Sequence, residues 1–277
     1  MSPRVTVVMA TFNWSSVLPY SIGSVLDQTF TDFELLVVGD DCTDDSAEVV
    51  GAIEDPRVRW TNLEARAGHQ FGPNNEGIRQ ARGEFIAYLG HDDLWLPHHL
   101  ASTVAALDEG FDVAHTIVAR IGPDDAPVEP YRVQHSPTAW RPPSSIVHRK
   151  RVTDTVGAWR DFREMSNFPE AELLIRAHRG GFRFVHVPRL TVLKFPAALR
   201  RDVYALRPSH EQAAWLQRIR TEPDLEVLQL AHIVSAFSDR LQPGFLRRLW
   251  LRFRGIGRRL RRKGSRIEKI QRFKGVR

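Results

Sequence analysis

The stretch EFIAYLGHDDLWLP, residues 84–97, runs apolar for half its length and then breaks into His91, Asp92 and Asp93. Carboxylates that directly follow a buried strand lose solvation energy unless a cation or a polar group meets them. Gly90 stands immediately before them, where a third acid might be expected. The stretch therefore predicts a buried strand whose far end meets a polar or cationic group.

Strands and helices alternate through the N-terminal half. Segments with helical apolar spacing separate four predicted strands, which are RVTVVMATF (4–12), FELLVVGDD (33–41), RVRWTNL (57–63) and EFIAYLG (84–90). Strands that are apolar throughout and separated by helices indicate an α/β fold with a mostly parallel sheet covered on both faces. Ligands of such sheets bind beyond the carboxyl ends of the strands.

Polar residues follow three of these four strands. They are Thr11 and Asn13 after the first strand, Asp40 and Asp41 after the second, and Asp92 and Asp93 after the fourth. Since parallel strands end at one edge of the sheet, we expect these side chains to converge on one site.

The alternation weakens beyond Trp95. We expect helices in residues 96–110 and 169–181, strands in 112–122 and 144–152, one or two strands in 182–195, and a proline-rich connection in 123–144. The body is predicted to end near residue 200. Two helices should follow, the first starting at Ser209 with Gln212 as a capping-box partner, and the second after Pro223.

Charge is unevenly distributed along the 277 residues. Residues 241–277 hold 14 Lys and Arg against one acid, a net +13 that leaves −7 for the rest of a chain whose total is +6. The single cysteine, Cys42, cannot form an internal disulfide and suits a reducing compartment. We find neither a signal peptide nor a transmembrane run, so we expect a cytoplasmic protein that is soluble or peripheral on the inner face of the membrane.

The basic tail has an amphipathic pattern. One helical face would carry Leu246, Leu249, Trp250, Phe253, Ile256 and Leu260, with arginines around the rest. Such a helix can lie on an anionic membrane surface through residues 245–277. The alternatives are a helix packed on the body or a disordered basic end. Nucleic-acid binding is disfavoured because few aromatics are interleaved and the body is acidic.

Several of these segments together resemble glycosyltransferase family 2. The resemblance covers about residues 4–190 and rests on VTVVMATFN, on SIGSVLDQTFTDFELLVVGDD, on NNEGIRQARGEFIAYLGHDDLWLP and on PEAELLIRAHRGG, in that order. It implies the GT-A fold and an inverting transfer from a nucleotide sugar. Residues 1–95 would be the nucleotide-sugar half of the domain, 96–200 the acceptor half, and 201–277 a helical extension.

The resemblance assigns nucleotide binding to the first strand ends. Thr11, Phe12 and Asn13 would hold the base, and the Asp40 carboxylate would accept from a uracil N–H or a ribose hydroxyl. The alternative is that Asp40 and its neighbour are only turn and helix-capping acids. Asp41 stands where the family usually has glycine, and we assign it a turn role.

Aligned on LWLP, the metal-binding D-x-D motif of the family falls on Gly90, His91 and Asp92. The resemblance makes Asp92 the ligand of Mn²⁺ or Mg²⁺, which takes few protein carboxylates and completes its shell with water and diphosphate oxygens. His91 would contact ribose or phosphate. Asp93 would hold the metal or a metal-bound water. Alternatively, the two acids favour the N-terminus of the next helix.

The catalytic base falls on Glu170. Family members usually carry a Glu-Asp pair at a helix start, and here those positions hold Pro169 and Glu170. A glutamate side chain in water has a pKa of about 4.3, so it is ionised near neutral pH and can take the proton of an acceptor hydroxyl. The alternative makes Glu170 and Glu172 ordinary first-turn helix acids.

These assignments predict transfer of one sugar, with a UDP-sugar as the leading donor, to a glycan or lipid-linked acceptor in cell-envelope or other polysaccharide biosynthesis. Trp140 would stack on a sugar ring, and Ser144, Ser145 and His148 would lie near the acceptor unless they belong to a plain strand. Two alternatives stay open. One is a nucleotide-sugar-binding protein without turnover, and the other is a nucleotidyltransferase on a similar sheet.

Overall fold

A computed structural model describes residues 2–123, 139–165 and 168–241, with side chains to residue 236. The predicted amphipathic tail lies outside these residues. One eight-stranded sheet has the order β3-β2-β1-β4-β7-β6-β8-β5. Its strands are β1 (Val5–Thr11), β2 (Phe33–Gly39), β3 (Val58–Asn62), β4 (Phe85–Gly90), β5 (Leu94–Trp95), β6 (Val113–Arg120), β7 (Ile146–Arg149) and β8 (Phe184–Lys194).

The sheet is mixed, with its parallel part at the N-terminal end of the chain. Strands β3, β2, β1 and β4 pair in parallel, as does β6 with β8. The antiparallel pairs are β4 with β7, β6 with β7, and β5 with β8. Parallel pairings thus outnumber antiparallel ones by four to three. A single sheet contains strands from both predicted halves of the domain.

Helices cover both faces, as the apolar strands predict. They are α1 (Leu18–Leu26), α2 (Ser46–Gly51), α3 (Phe71–Gln80), α4 (His99–Asp108), α5 (Lys150–Val156), α6 (Pro169–Arg179), α7 (Val203–Leu206), α8 (His210–Thr221) and α9 (Leu225–Leu241). Val7 of β1 packs in the core that includes α1 and α4, whereas Val8 packs in the core that includes α3 and α6. Successive side chains of the strand therefore serve opposite cores.

Helix α3 lies very close to β1. A Cβ built on Gly77 would come within 2.3 Å of Val8 Cγ1, so glycine lets the helix approach the strand. The close packing brings the N-terminus of α3 to the edge where the parallel strands end.

The structure corrects the strand predicted over residues 144–152. Only Ile146–Arg149 is a strand, and α5 starts at Lys150. Strand β7 pairs with β4 up to Phe85 and with β6 up to Val113, which are the first residues of those strands. Since no ladder partner extends further, the chain turns into a helix there.

Helices α8 and α9 follow the body, as expected beyond residue 200. Trp215 and Leu216 of α8 pack with Leu193 and Phe195 in a separate apolar cluster. The predicted capping box is wrong, because the Gln212 side chain instead donates to the backbone oxygen of Asp92 at 3.2 Å. Within the part of the chain that the structure describes, no helix is long and apolar enough to cross a membrane.

Candidate active site

The polar ends of β1, β2 and β4 meet at one edge of the sheet. Thr11 pairs with Gly39 in the register of β1 and β2, and Ala10 pairs with Gly90 in that of β1 and β4. This confirms the predicted convergence of the three strand exits.

Asn13 joins the exits of β1 and β2. It has a left-handed backbone (φ 45°), and its Oδ1 accepts from the backbone N–H groups of Thr43 at 2.7 Å and Asp44 at 3.3 Å. Phe12 lies beside it, with the Arg66 guanidinium 3.9 Å from the ring centroid. The amide of Asn13 thus shapes the turn, while Phe12 and Arg66 form a flat, cationic surface.

Asp40 is buried and anchors the loop that follows β3. Its oxygens accept the N–H of Ala67 at 2.7 Å and the N–H of Gly68 at 2.9 Å. Burial raises the pKa of the carboxyl, and the two N–H donors partly oppose that rise. Asp41 has φ 60°, which fits the turn role predicted for it.

His91 lies between two strand ends. Its Nδ1 is 2.8 Å from Thr11 Oγ1, and the ring packs edge-on against Trp14 at 5.2 Å. Tyr204, beyond the body of the domain, has its ring 6.2 Å away. Burial lowers the pKa of His91, so we expect a neutral imidazole near neutral pH.

Asp92 and Asp93 have different surroundings. Among the described residues, none donates a hydrogen bond to the Asp92 carboxylate, although that residue is only 8% exposed. The Asp93 carboxylate is fully buried and accepts from Ser144 Oγ at 2.5 Å and from the Phe195 N–H at 3.2 Å. Lys194 Nζ lies 2.8 Å from Asp93 Oδ2. Metal binding by Asp93 would require these donors to give way.

Gly90 lies directly beneath both acids. A Cβ built on it would be 3.2 Å from Asp92 Oδ1 and 3.2 Å from Asp93 Oδ2. The two carboxylates therefore occupy the space next to Gly90, and a side chain at position 90 would contact both of them.

Glu170 stands in the first turn of α6, after Pro169, and is 7% exposed. Its Oε1 accepts from Gln70 Nε2 at 2.6 Å, whereas no described residue donates to the buried Oε2. Burial raises the pKa of the carboxyl, against the smaller lowering effects of its own backbone N–H, of Gln70, of the Lys194 charge and of Trp140. A raised pKa and an oxygen without a protein donor are what a proton acceptor needs.

Glu172, two residues further along α6, has a structural role. It forms ion pairs with Arg176 at 2.9 Å and with Arg160 at 3.2 Å.

The other predicted acceptor-side residues divide between the core and the site. His148 is buried, with its Nε2 2.8 Å from Tyr88 OH, and burial lowers its pKa to about 4. Ser145 Oγ donates to the Pro142 carbonyl at 2.8 Å. Trp140 lies beside the exposed Phe168, with ring centroids 6.1 Å apart, and favours the charged form of Glu170.

Lys194 was missed by sequence reasoning, although it stands at the end of a predicted strand. Its charge lowers the pKa of both Glu170 and His91. The geometric link between the strand-end cluster and the buried glutamate is the loop after β3, which binds Asp40 through Ala67 and Gly68 and Glu170 through Gln70. Gln70 was also missed, since no local pattern marks it, and Gln212 was predicted only as a capping-box partner.

Comparison with known proteins identifies the family to which the chain belongs. The family model described as "Glycosyl transferase family 2" matches residues 6–168, more than half of the chain. The chain belongs to glycosyl transferase family 2. The resemblance identified from the motifs is confirmed.

Curated relatives share shorter regions. An uncharacterized glycosyltransferase of Nostoc sp. is 29% identical over 175 residues, which are 55% of this chain and 53% of that protein. The UDP-Glc:alpha-D-GlcNAc-diphosphoundecaprenol beta-1,3-glucosyltransferase WfgD of Escherichia coli is 33% identical over 103 residues, 37% of this chain and 40% of that protein. The chain thus spans about half or less of the length of these relatives.

Solved structures share the fold. S. aureus TarS 1–349 in complex with UDP-GlcNAc has a TM-score of 0.61 and 17% identity, covering 84% of this chain and 71% of that one. The mannosyltransferase PcManGT from Pyrobaculum calidifontis, in complex with GDP-Man and Mn²⁺, has a TM-score of 0.57 and 16% identity, covering 100% and 84%. The predicted GT-A fold is confirmed, with a mixed sheet flanked by helices.

Proposed function

We propose that this family 2 chain is an inverting glycosyltransferase that moves one sugar from a UDP-sugar to an acceptor hydroxyl. The observation that carries the proposal is the buried Glu170, whose Oε2 accepts no hydrogen bond from the described residues and whose Oε1 is bound by the same loop that binds Asp40. A carboxylate in that state serves as a base better than as a helix-capping acid.

The donor would bind at the edge formed by β1, β2 and β4. Thr11, Phe12 and Asn13 would line the base, and Asp40 would accept from the base or ribose through lone pairs that Ala67 and Gly68 leave unused. Since E. coli WfgD is named for UDP-Glc and TarS was crystallised with UDP-GlcNAc, a UDP-sugar is the leading donor class.

His91 and Asp92 would face the donor diphosphate. A neutral His91 whose Nδ1 is engaged with Thr11 can offer its other nitrogen to ribose or phosphate. The Asp92 carboxylate, with no described donor, suits a hard cation.

The site fits Mn²⁺ or Mg²⁺ if the cation has Asp92 as its single carboxylate ligand from the protein. Within the described residues, no three His, Cys, Asp or Glu side chains cluster as a metal site. Mg²⁺ nonetheless binds through one or two carboxylates when substrate phosphates and water supply the rest. Asp92 would hold the cation and Asp93, held by Lys194, would keep the strand end in place. The cation would supply neutralisation of the diphosphate charge.

The base would act on the other side of the reacting sugar. Glu170 Oε2 would accept the proton of the acceptor hydroxyl as that oxygen attacks the anomeric carbon, and the nucleoside diphosphate would depart from the opposite face. This single displacement inverts the anomeric configuration.

The acceptor is proposed to be a glycan or a lipid-linked glycan of the cell envelope, as the diphosphoundecaprenol in the E. coli relative's name indicates for that protein. The enzyme would then work in the cytoplasm, peripheral to the membrane, with residues 245–277 on anionic lipid. Co-sedimentation with anionic liposomes tests this proposal. Equal binding by a chain that lacks residues 245–277 would show that the tail is not the membrane-binding segment.

Turnover separates an enzyme from a protein that only binds nucleotide sugar. UDP-sugar consumption is measured with and without Mn²⁺ for wild type, Glu170→Gln and the control Glu172→Gln on the same helix turn. We expect Glu170→Gln to lower kcat about 10²–10⁴-fold, with UDP affinity unchanged and with Glu172→Gln retaining turnover. Nucleotide binding without metal-dependent turnover of any donor would contradict the proposal.

A further inference from the structure

The loop of residues 63–70 spans the two sides of the site. At its middle, the N–H groups of Ala67 and Gly68 bind the Asp40 carboxylate at the end of β2. At its end, Gln70 donates to Glu170 Oε1 at 2.6 Å across 100 residues of sequence. The same short segment thus contacts both the proposed nucleotide acid and the proposed base.

Further contacts fix this loop and α3 against the segment that leads to α6. The His69 ring lies 4.9 Å from that of Phe162. Asn75 Nδ2 donates to the backbone carbonyl of Trp159 at 2.8 Å, and the backbone N–H of Trp159 donates to Asn75 Oδ1 at 2.9 Å. Gln70 therefore projects from a doubly anchored support rather than from an isolated loop.

The Glu170 carboxylate is asymmetric as a result. Oε1 has a short bond to a neutral amide, while the buried Oε2 has no described donor. A neutral donor fixes the orientation of the carboxylate without adding a positive charge that would weaken it as a base. Glutamate also has one more rotatable bond than the aspartate usual at this position, so its orientation needs a restraint.

We propose that Gln70 is a positioning residue that holds Glu170 Oε1 so that Oε2 faces the acceptor hydroxyl. This inference rests on the proposed role of Glu170 as the base. In the reaction, the hydroxyl proton moves to Oε2, the hydroxyl oxygen bonds to the anomeric carbon, and the bond from that carbon to the diphosphate oxygen breaks. Gln70 gains and loses no proton.

Gln70→Met tests the proposal, because methionine has a similar length and no N–H donor. We expect kcat to fall about 10–100-fold, the range associated with a misplaced catalytic group, with UDP affinity unchanged. The charged group that also acts on Glu170 is Lys194, which the variant leaves in place. Since the Gln70 bond lowers the pKa of Glu170, the acidic limb of the pH–kcat profile should move to higher pH.

Two further variants make the result specific. Gln80→Met, at the far end of α3, removes bonds to Glu76 and Thr61 and should leave kcat and the pH profile unchanged. Gln70→Glu, which places a second carboxylate beside the first, should move the acidic limb further than Gln70→Met. It keeps the test decisive if the methionine variant fails to fold, as judged by thermal melting.

The outcomes distinguish the two proposals. If Glu170→Gln retains full turnover, the base assignment fails. If Glu170→Gln is inactive while the folded Gln70 variants keep wild-type kcat and pH profile, only the positioning role fails. A parallel loss of kcat and UDP affinity in the Gln70 variants would also overturn it, because that result describes general damage to the loop.

Discussion

Lys194 Nζ lies 2.8 Å from Oδ2 and 3.1 Å from Oδ1 of Asp93, joining the end of β8 to the end of β4 across 101 residues of sequence. The lysine side chain is 20% exposed and the aspartate side chain is fully buried. Removing one partner of such a pair leaves an uncompensated buried charge. The ion pair therefore gives Asp93 a structural role and leaves Asp92 as the acid that can bind a cation.

Lys194→Met should destabilise the protein by about 3–5 kcal/mol, the range for breaking a buried pair. Urea unfolding measures the change. The double variant Asp93→Asn/Lys194→Met should recover part of the loss, since it leaves no buried charge behind. Additive losses in the two single variants and the double variant would show that the pair is not coupled.

Asp92→Asn and Asp93→Asn should fail in different ways. Because no described residue donates to the Asp92 carboxylate, Asp92→Asn should keep its melting temperature and lose about 100-fold in Mn²⁺-supported kcat. Asp93→Asn should lose stability instead, since it breaks the contacts with Lys194 and Ser144. Thermal melts paired with Mn²⁺ titrations of activity check both, and an exchange of the two phenotypes would move the metal site to Asp93.

Gly90→Asp would complete the D-x-D motif that the sequence predicts at residues 90–92. The new Cβ would meet oxygens of Asp92 and Asp93 at 3.2 Å, so the variant should be less stable than wild type without metal. Mn²⁺ with UDP should raise its melting temperature more than that of wild type, because a ligand of the native state stabilises it. Gly90→Asn is the matched control for crowding, and equal responses of the two variants to Mn²⁺ would contradict a metal site here.

Glu170 should cost the protein stability at neutral pH. Burial raises its pKa above the ordinary value for a glutamate, so the native state holds the proton more tightly than the unfolded state. Between the unfolded and folded pKa values, stability therefore falls as pH rises.

Glu170→Gln, which cannot ionise, should gain stability over wild type as pH rises through that window and keep the gain above it. Urea unfolding at a series of pH values from about 4 upward, near the pKa of a free glutamate, measures the difference. Glu172→Gln, which loses ion pairs with Arg176 and Arg160, should show no such gain. A stability difference that does not change with pH would mean that the pKa of Glu170 is ordinary.

The sequence predicted the elements that depend on local pattern. The runs 4–12, 33–41 and 84–90 are apolar over several residues, whereas 57–63 alternates polar and apolar residues at its start, and each of the four contains a strand of the parallel region. The break at Lys150 was not predictable, since it depends on where β4 and β6 begin. The contacts of Asp93 with Lys194 and of Glu170 with Gln70 join residues 101 and 100 positions apart, and no local pattern encodes them.

The bond from Gln212 to the backbone oxygen of Asp92 connects helix α8 to the turn after β4. Helix α8 follows the body of the domain, yet one of its side chains holds the strand end at which the cation would bind. A minimal catalytic fragment that stops near residue 200 would lose that support together with the α8 residues Trp215 and Leu216. Helix α8 is therefore part of the structure that supports the site. Chimaeras between relatives should exchange α8 and the turn after β4 as one unit.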